Sequence, residues 1–429
     1  MSGTVHRAAD DLRTARALRV DGARLLSRLE ELRRIGGTPD GGVNRVAFTP
    51  EDVRGRELVA SFMVEAGLDV ELDAAGNLIG RRTGRRAAAP TLLMGSHLDT
   101  VPHGGALDGA YGVIGAVEVL HTLGEHGVVP WRPMAVIAFT NEEGGLGTRP
   151  MWGSHALAGH LGPADLLACD DAGTPVSRLL AGVGGDPARL ATAVWPPERL
   201  SGYLELHVEQ GPVLEHVGAA IGVVQAVTGR VTADVTVRGQ ANHAGTTPMH
   251  LRQDALVGAA RVVLAVRELA GDGGLVRVAT VGRCAVEPNA WNVVPALVRL
   301  RVDLRDVSVA AMRAGLERLR AVAAEVAAAT GTDIEVTEGG MVQPAACDPF
   351  LQRLVAAAAE RVGASHHALP SGAGHDAQVV GTVTRMGMIF VPSRGGISHA
   401  AAEWTEPWQL VAGADVLLQT ALDFDRALG

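Results

Sequence analysis

Three successive segments constrain this chain more than anything else in it. "AAAPTLLMGS" is an apolar run that ends at a glycine. "GAYGVIGAVEVLHTLGEHG" is apolar at helical spacing and closed by a glycine. "PMAVIAFTNEEG" is a second apolar run that opens into an acidic loop. Runs this apolar suit strands buried on both faces, and strand, helix, strand at this pitch is the βαβ unit of a parallel sheet. The fold class expected is α/β with a central, mostly parallel sheet.

The texture elsewhere defines the organisation. "GARLLSRLEELRRIG" has helical spacing and a glycine stop, and "GYLELHVEQGP" reads as a strand from Tyr203 to Val208. Residues 146–200 are ambiguous, because Gly and Pro interrupt any long element. Near residue 222 the pattern becomes period-two and β-branched, and residues 222–339 follow a β-α-β-β-α-β order of about 115 residues, as in a ferredoxin-like module. After residue 340 the α/β texture returns in "PFLQRLVAAAAERVG" and "VTRMGMIFVPS". The simplest organisation is a catalytic domain of residues 1–221 and 340–429, interrupted by an inserted α+β domain of residues 222–339. A length of 429 residues suits two or three domains at roughly 150 residues each.

Composition narrows the chemistry. Hydrophobic residues make up 47% and charged residues 20%, which fits a large core. The net charge of −9 argues against a nucleic-acid surface. All 38 basic residues other than His are Arg. With no lysine there is no Schiff base, lysine general base or phosphate-loop lysine. The three cysteines are odd in number and widely spaced, so a disulfide framework or cysteine metal site is not expected, and a reducing, cytoplasmic setting is. The first residues are Arg-rich but also acidic and lack an apolar signal core, which suits an amphipathic helix. No uncharged apolar run reaches the ~20 residues of a membrane span.

Polar groups cluster where the apolar strands end. His97, Asp99 and Asp108 follow the first, Glu142 and Glu143 the next, His207 and Glu209 lie at the end of "YLELHVEQG", and His399 follows the last. Open α/β sheets bind ligands beyond the carboxyl ends of their strands, so these groups can converge although 300 residues of sequence separate them. Histidines with several carboxylates and no cysteine suit Zn, Mn, Co or Ni, and the excess of carboxylate suggests two ions sharing an aspartate.

Seven motifs in order, "GSHLDTVPHGGALDGAYGVIGAVEVL", "FTNEEGG", "LELHVEQGPVLE", "GQANHAGTTPM", "NVVPALVRLRVDLRD", "SGAGHDAQ" and "SRGGISHAAAEWT", resemble the N-carbamoyl-L-amino acid hydrolase, allantoate amidohydrolase and β-ureidopropionase family. These are dinuclear-metal amidohydrolases related to aminoacylases and exopeptidases. The match runs from about residue 20 to the end, and His207 stands where the related peptidases mostly carry Asp. The resemblance implies two divalent metal ions per subunit. Asp108 bridges them, His97 and His207 complete the first site, and Glu143 and His399 complete the second. Asp99 fits a carboxylate that fixes the tautomer of a ligand imidazole. Glu142 becomes the general base, taking a proton from water and passing it to the leaving nitrogen.

The inserted domain, by the same resemblance, is a lid and dimerisation domain. His243 matches the residue that stabilises the tetrahedral oxyanion. Asn292 and Arg305 match those that hold the substrate carboxylate, to which an Arg fork gives two parallel bonds. In relatives these three reach the site from the partner subunit, which implies a homodimer. Gln210 matches another substrate contact. A strand-end ion pair in "DLRD" is the alternative for Arg305. His375, in "GAGHDA", has an open role, and His103 lies between two ligands in sequence but is read as structural or exposed. Ala401 stands where relatives often have Pro, and Trp404 where they vary. Trp291 beside Asn292 bears on the substrate pocket.

The activity implied is hydrolysis of a linear, non-peptide C–N bond in a small carbamoyl or ureido compound bearing a carboxylate. An N-carbamoyl-L-amino acid is the first substrate expected. Allantoate and N-carbamoyl-β-alanine are alternatives of the same mechanism. An aminoacylase or dipeptidase, and a non-catalytic metal-binding dimer, are more distant ones.

Overall fold

The computed structural model describes residues 18–271 and 273–428. They form two compact units. One holds the residues up to Gln225 and those from Ala346 onward, and the other is Ala226–Ala345. The start of the expected N-terminal helix lies outside the described residues. The remainder forms α1 (Gly22–Arg33), capped by Asp21, whose side chain accepts the Arg24 N–H.

The larger unit is built on a nine-stranded sheet. Its strands are β1 (Asp69–Leu72), β2 (Leu78–Arg82), β3 (Thr91–His97), β4 (Met134–Phe139), β5 (Leu200–Val208) and β6 (Ile221–Val227). After the smaller unit come β13 (Ala345–Ala346), β14 (His366–Ser371) and β15 (Met386–Val391). They lie in the order β1-β2-β4-β3-β5-β15-β6-β13, with β14 against β6. The middle strands β4, β3, β5 and β15 run parallel, flanked by antiparallel β2 and β6. Every residue of β3, β4 and β15 is buried, which accounts for their unbroken apolar runs.

Helices α1, α2 (Pro50–Glu65), α3 (Ala110–Glu125), α6 (Pro349–Val362) and α7 (Pro407–Leu428) share the main apolar cluster with the sheet. In the first turn of α3, Gly112 lies over β5. A Cβ there would stand 2.3 Å from the carbonyl oxygen of Leu206, so helix main chain rests directly on strand main chain. The ambiguous stretch 146–200 resolves into short helices, Trp152–Leu157, Pro163–Leu167 and Val176–Gly182, packed around Trp152 and Leu180.

In the smaller unit, β7 (Gly229–Arg238), β9 (Val278–Glu287), β11 (Leu297–Asp306) and β12 (Asp333–Val342) form an antiparallel sheet in the order β12-β7-β11-β9. β8 (Asn242–His243) and β10 (Val293–Val294) pair as a short ribbon. One face is covered by α4 (Ala255–Glu268) and α5 (Val309–Thr330), toward which Val231, Ala233, Val235 and Val237 alternate. Residue 222, where the texture changes, falls inside β6, a strand of the larger sheet. β-branched residues continue from β6 into β7, so composition does not mark the boundary. Among the described residues no helix is long and apolar enough to cross a membrane.

Candidate active site

The parallel strands deliver their polar ends to one edge of the sheet. His97 is the last residue of β3, Glu142 and Glu143 follow β4, and His207 is the penultimate residue of β5. His399 lies in the segment after β15, with φ of 55°. Asp108 closes the loop between β3 and α3, and the seating of Gly112 on Leu206 brings that loop over His207.

Asp108 sits at the centre. Its Oδ1 lies 3.1 Å from Nε2 of His207 and 3.6 Å from Nε2 of His97. Its Oδ2 lies 3.1 Å from Nε2 of His399, which in turn lies 3.3 Å from Oε1 of Glu143. Two sets of donor atoms therefore share one carboxylate, His97–Asp108–His207 and Asp108–Glu143–His399, each within 4.8 Å. All five expected ligands come together. His103 joins none of these groups; it is exposed, with its N–H on Asn44. Glu209 instead caps a short helix, accepting the N–H groups of Val213 and Leu214.

Main-chain bonds orient the two imidazoles. Nδ1 of His97 donates to the carbonyl of Asp99 at 2.9 Å, and Nδ1 of His207 to the carbonyl of Val208 at 2.8 Å. Nε2 of His207 accepts the Gly109 N–H. Asp99 thus departs from its expected role. Its carboxylate is 3.8 Å from His97, and its backbone carbonyl fixes the ring instead. The carboxylate accepts the N–H groups of Glu142 and Glu143 at 3.2 and 3.1 Å, holding the acidic loop. Gln210, with φ of 58°, places Nε2 2.6 Å from Oδ2 of Asp108.

The residues present fit divalent metal. With Nδ1–H committed to the Asp99 carbonyl, the Nε2 lone pair of His97 faces an anionic oxygen of Asp108, an arrangement that is repulsive without a cation between them. The nitrogen and oxygen donors suit Zn, Mn, Co or Ni. Protons alone are drawn to the same place. The hydrogen bond to Asp108 raises His399 to about 9. Burial, then the charge of Asp108, raises Glu143 to about 7. Burial likewise pushes Glu142 well above the ordinary carboxylate range.

Behind the ligands lies a buried acid absent from the expected set. Glu205 accepts from Ser96 Oγ at 2.7 Å and from the Ala377 N–H at 2.9 Å, and lies 3.2 Å from the hydroxyl of Tyr203, whose nearer acceptor is the Gly95 carbonyl at 2.9 Å. Strand alternation puts 205 and 207 on one face of "LELHV", a signal the sequence does carry. His375 packs edge-on against His207, with centroids 4.6 Å apart, and its Nε2 lies 2.9 Å from Ser371 Oγ.

The remaining expected residues belong to the smaller unit. His243 pairs with Val293 across the β8–β10 ribbon, and beside that pair the Asn292 carbonyl accepts the Ala244 N–H. Arg305 pairs with Asp303 two residues away, Nε to Oδ1 at 2.9 Å and Nη2 to Oδ2 at 3.1 Å, which is the strand-end ion pair considered above. Trp291 is almost wholly exposed. In the larger unit, Trp404 has the Arg394 guanidinium over its ring.

Residues 93–423 match the model of peptidase family M20/M25/M40. The chain belongs to this family. M20 enzymes are metal-dependent, which agrees with the donor clusters around Asp108. An N-carbamoyl-L-amino acid amidohydrolase of Geobacillus stearothermophilus is 42% identical over 404 residues, 94% of this chain and 98% of that protein. An allantoate amidohydrolase of Bacillus subtilis is 33% identical over 397 residues, 91% of this chain and 94% of that protein. The crystal structure of an amidase of the hydantoinase/carbamoylase family from Burkholderia multivorans superposes with a TM-score of 0.88 at 39% identity, covering 95% of this chain and 98% of that one. The M20 likeness thus spans the donor clusters and both units.

Proposed function

We propose that this M20 protein is an N-carbamoyl-L-amino acid amidohydrolase that holds two divalent metal ions and works as a cytoplasmic homodimer. The observation that carries this reading is the division of Asp108, with Oδ1 toward His97 and His207 and Oδ2 toward His399. Likeness to the Geobacillus protein supports the substrate class, and three unpaired cysteines support a reducing compartment.

His97, His207 and Asp108 would hold one ion, and Asp108, Glu143 and His399 the other. When bound, such ions supply Lewis acidity, polarising the ureido carbonyl and acidifying water. Glu142, buried beside His97, takes the proton from the attacking water. The C–N bond to the amino acid breaks, and Glu142 returns the proton to the leaving nitrogen. The products are the amino acid and carbamate, which decomposes to carbon dioxide and ammonia. Asp99 keeps Glu142 in place through its backbone.

Residues 226–345 we assign as the lid and dimerisation domain, supplying His243 to the oxyanion and Asn292 and Arg305 to the substrate carboxylate. The geometry of that unit favours a division of labour. Arg305 stands opposite Arg230 at one end of the sheet, whereas the ribbon with His243 and Asn292 follows the end where Leu297 stands opposite Arg238. Eight strand residues at ~3.3 Å each separate those ends by about 26 Å. One copy therefore serves a small substrate with Arg305 or with the ribbon. In this reading each site draws on two copies of the unit, and Arg305 exchanges Asp303 for the substrate.

The test measures, with metal-reconstituted enzyme, free amino acid released from N-carbamoyl, N-formyl and N-acetyl amino acids, and ammonia released from the N-carbamoyl substrates and allantoate. The highest kcat/KM is expected for an N-carbamoyl-L-amino acid. Preference for allantoate, or for N-acetyl substrates that release no ammonia but yield free amino acid, overturns the assignment.

A further inference from the structure

Asp108 and His399 come from loops far apart in sequence, and one buried acid ties them together. Glu403 lies four residues after His399 and is 7% exposed. Its Oε1 accepts two backbone N–H groups, that of Leu107 at 2.9 Å and that of Asp108 at 3.1 Å. Its Oε2 accepts the hydroxyl of Ser398 at 2.6 Å. A single carboxylate therefore holds the main chain of the central aspartate and the residue next to His399.

The loop has been shaped around this acid. A Cβ on Gly105 would stand 2.0 Å from Oε1 of Glu403, so the carboxylate fills the space that any side chain at 105 would take. Ser398 Oγ also lies 3.1 Å from Oδ2 of Asp108. A hydroxyl has one hydrogen to give, and the shorter contact directs it to Glu403. Oδ2 of Asp108 is then left to Gln210 Nε2 at 2.6 Å and His399 Nε2 at 3.1 Å.

We infer that Glu403 is a positioning residue for the Asp108–Glu143–His399 half of the centre, setting the separation of Asp108 and His399. This rests on the dinuclear reading given above. Glu403 does not touch the proposed ligand atoms of His97 or His207, so its loss acts unequally on the two ions. Residues that orient metal ligands typically change affinity by about 10–100-fold.

The experiment is calorimetric titration of metal-free protein with Mn²⁺, with elemental analysis of the loaded forms. Wild type is expected to take up two ions, and Glu403→Ala to bind one of them at least tenfold less tightly, with the other changed less than threefold. Glu403→Gln, which keeps an acceptor for both N–H groups, is expected to recover most of the loss. Gly105→Ala, which displaces the carboxylate, is expected to copy Glu403→Ala. If Glu403→Ala does not fold, Ser398→Ala takes its place, with at least threefold weakening of the same ion expected. Unchanged affinities, within threefold for Glu403→Ala or twofold for Ser398→Ala, with only a lower Tm, would show a purely structural acid and overturn the inference. A wild type that binds one ion or none rejects the dinuclear reading itself, an outcome recognised before any variant is compared.

Discussion

The carboxylate of Asp99 lies 3.1 Å from the backbone nitrogen of Glu143, and its other oxygen lies 3.2 Å from that of Glu142. One fully buried acid thus sets the position of both the proposed base and a proposed ligand. Asp99→Ala leaves the buried N–H of Glu142 and the part-buried N–H of Glu143 without this acceptor, the buried one costing about 1–3 kcal/mol. Turnover is expected to fall about 10–100-fold together with a lower Tm. Asp99→Asn, with one oxygen left to accept, should fall between. Thermal unfolding and kcat on the same preparations check this. Turnover above half of wild type in Asp99→Ala would show that the acidic loop holds itself.

Glu142→Gln should keep metal content and fold but lose about 10²–10⁴-fold in kcat, the usual cost of removing a general base. Chelation of the wild type should abolish activity, and Mn, Co, Ni or Zn should restore it. Elemental analysis beside each rate separates lost metal from lost proton transfer.

Asp415 offers a test of pH linkage away from the site. It accepts the Val20 N–H and pairs with Arg19, yet burial raises it to about 6. A carboxyl with a raised folded pKa stabilises fully below its unfolded value near 4, and that stability is lost as pH rises through 6. Asn at 415 does not titrate. The stability of Asp415→Asn relative to wild type should therefore rise by roughly 2 kcal/mol between pH 4 and pH 8. Urea unfolding at the two pH values measures it, and a flat difference contradicts it.

Subunit mixing tests the division between Arg305 and His243. Inactive Glu142→Gln protein is exchanged with His243→Ala protein in one mixture and with Arg305→Ala protein in another. A residue that serves the partner's site should restore activity, because a mixed dimer then contains one site with both defects and one with neither. One mixture should therefore regain activity and the other none. Mass spectrometry establishes exchange, and recovery in both mixtures or in neither contradicts the division.

The strand-end cluster was legible because parallel strands advertise themselves as apolar runs, and a His or acid directly after such a run has few places to go. His97, Asp108, Glu143, His207 and His399 converge for that reason. The exchange of roles at Asp99 was not legible: a spacing of two residues does not reveal whether carbonyl or carboxylate meets the ring. Glu403 was hidden more deeply, since its partners Leu107 and Asp108 lie nearly 300 residues away. The short strands β1 and β2 also escaped notice. β1 is mostly exposed and has no apolar run.

The seating of Gly112 on the carbonyl of Leu206 has a consequence for how this family can drift. Two main chains in contact act as a gauge block: the gap between the loop of Asp108 and the strand of His207 does not depend on which apolar side chains fill the rest of the layer. Core residues around α3 are then free to be exchanged over evolutionary time while the donor spacing stays put. The intolerant position is the one that contributes no side chain at all.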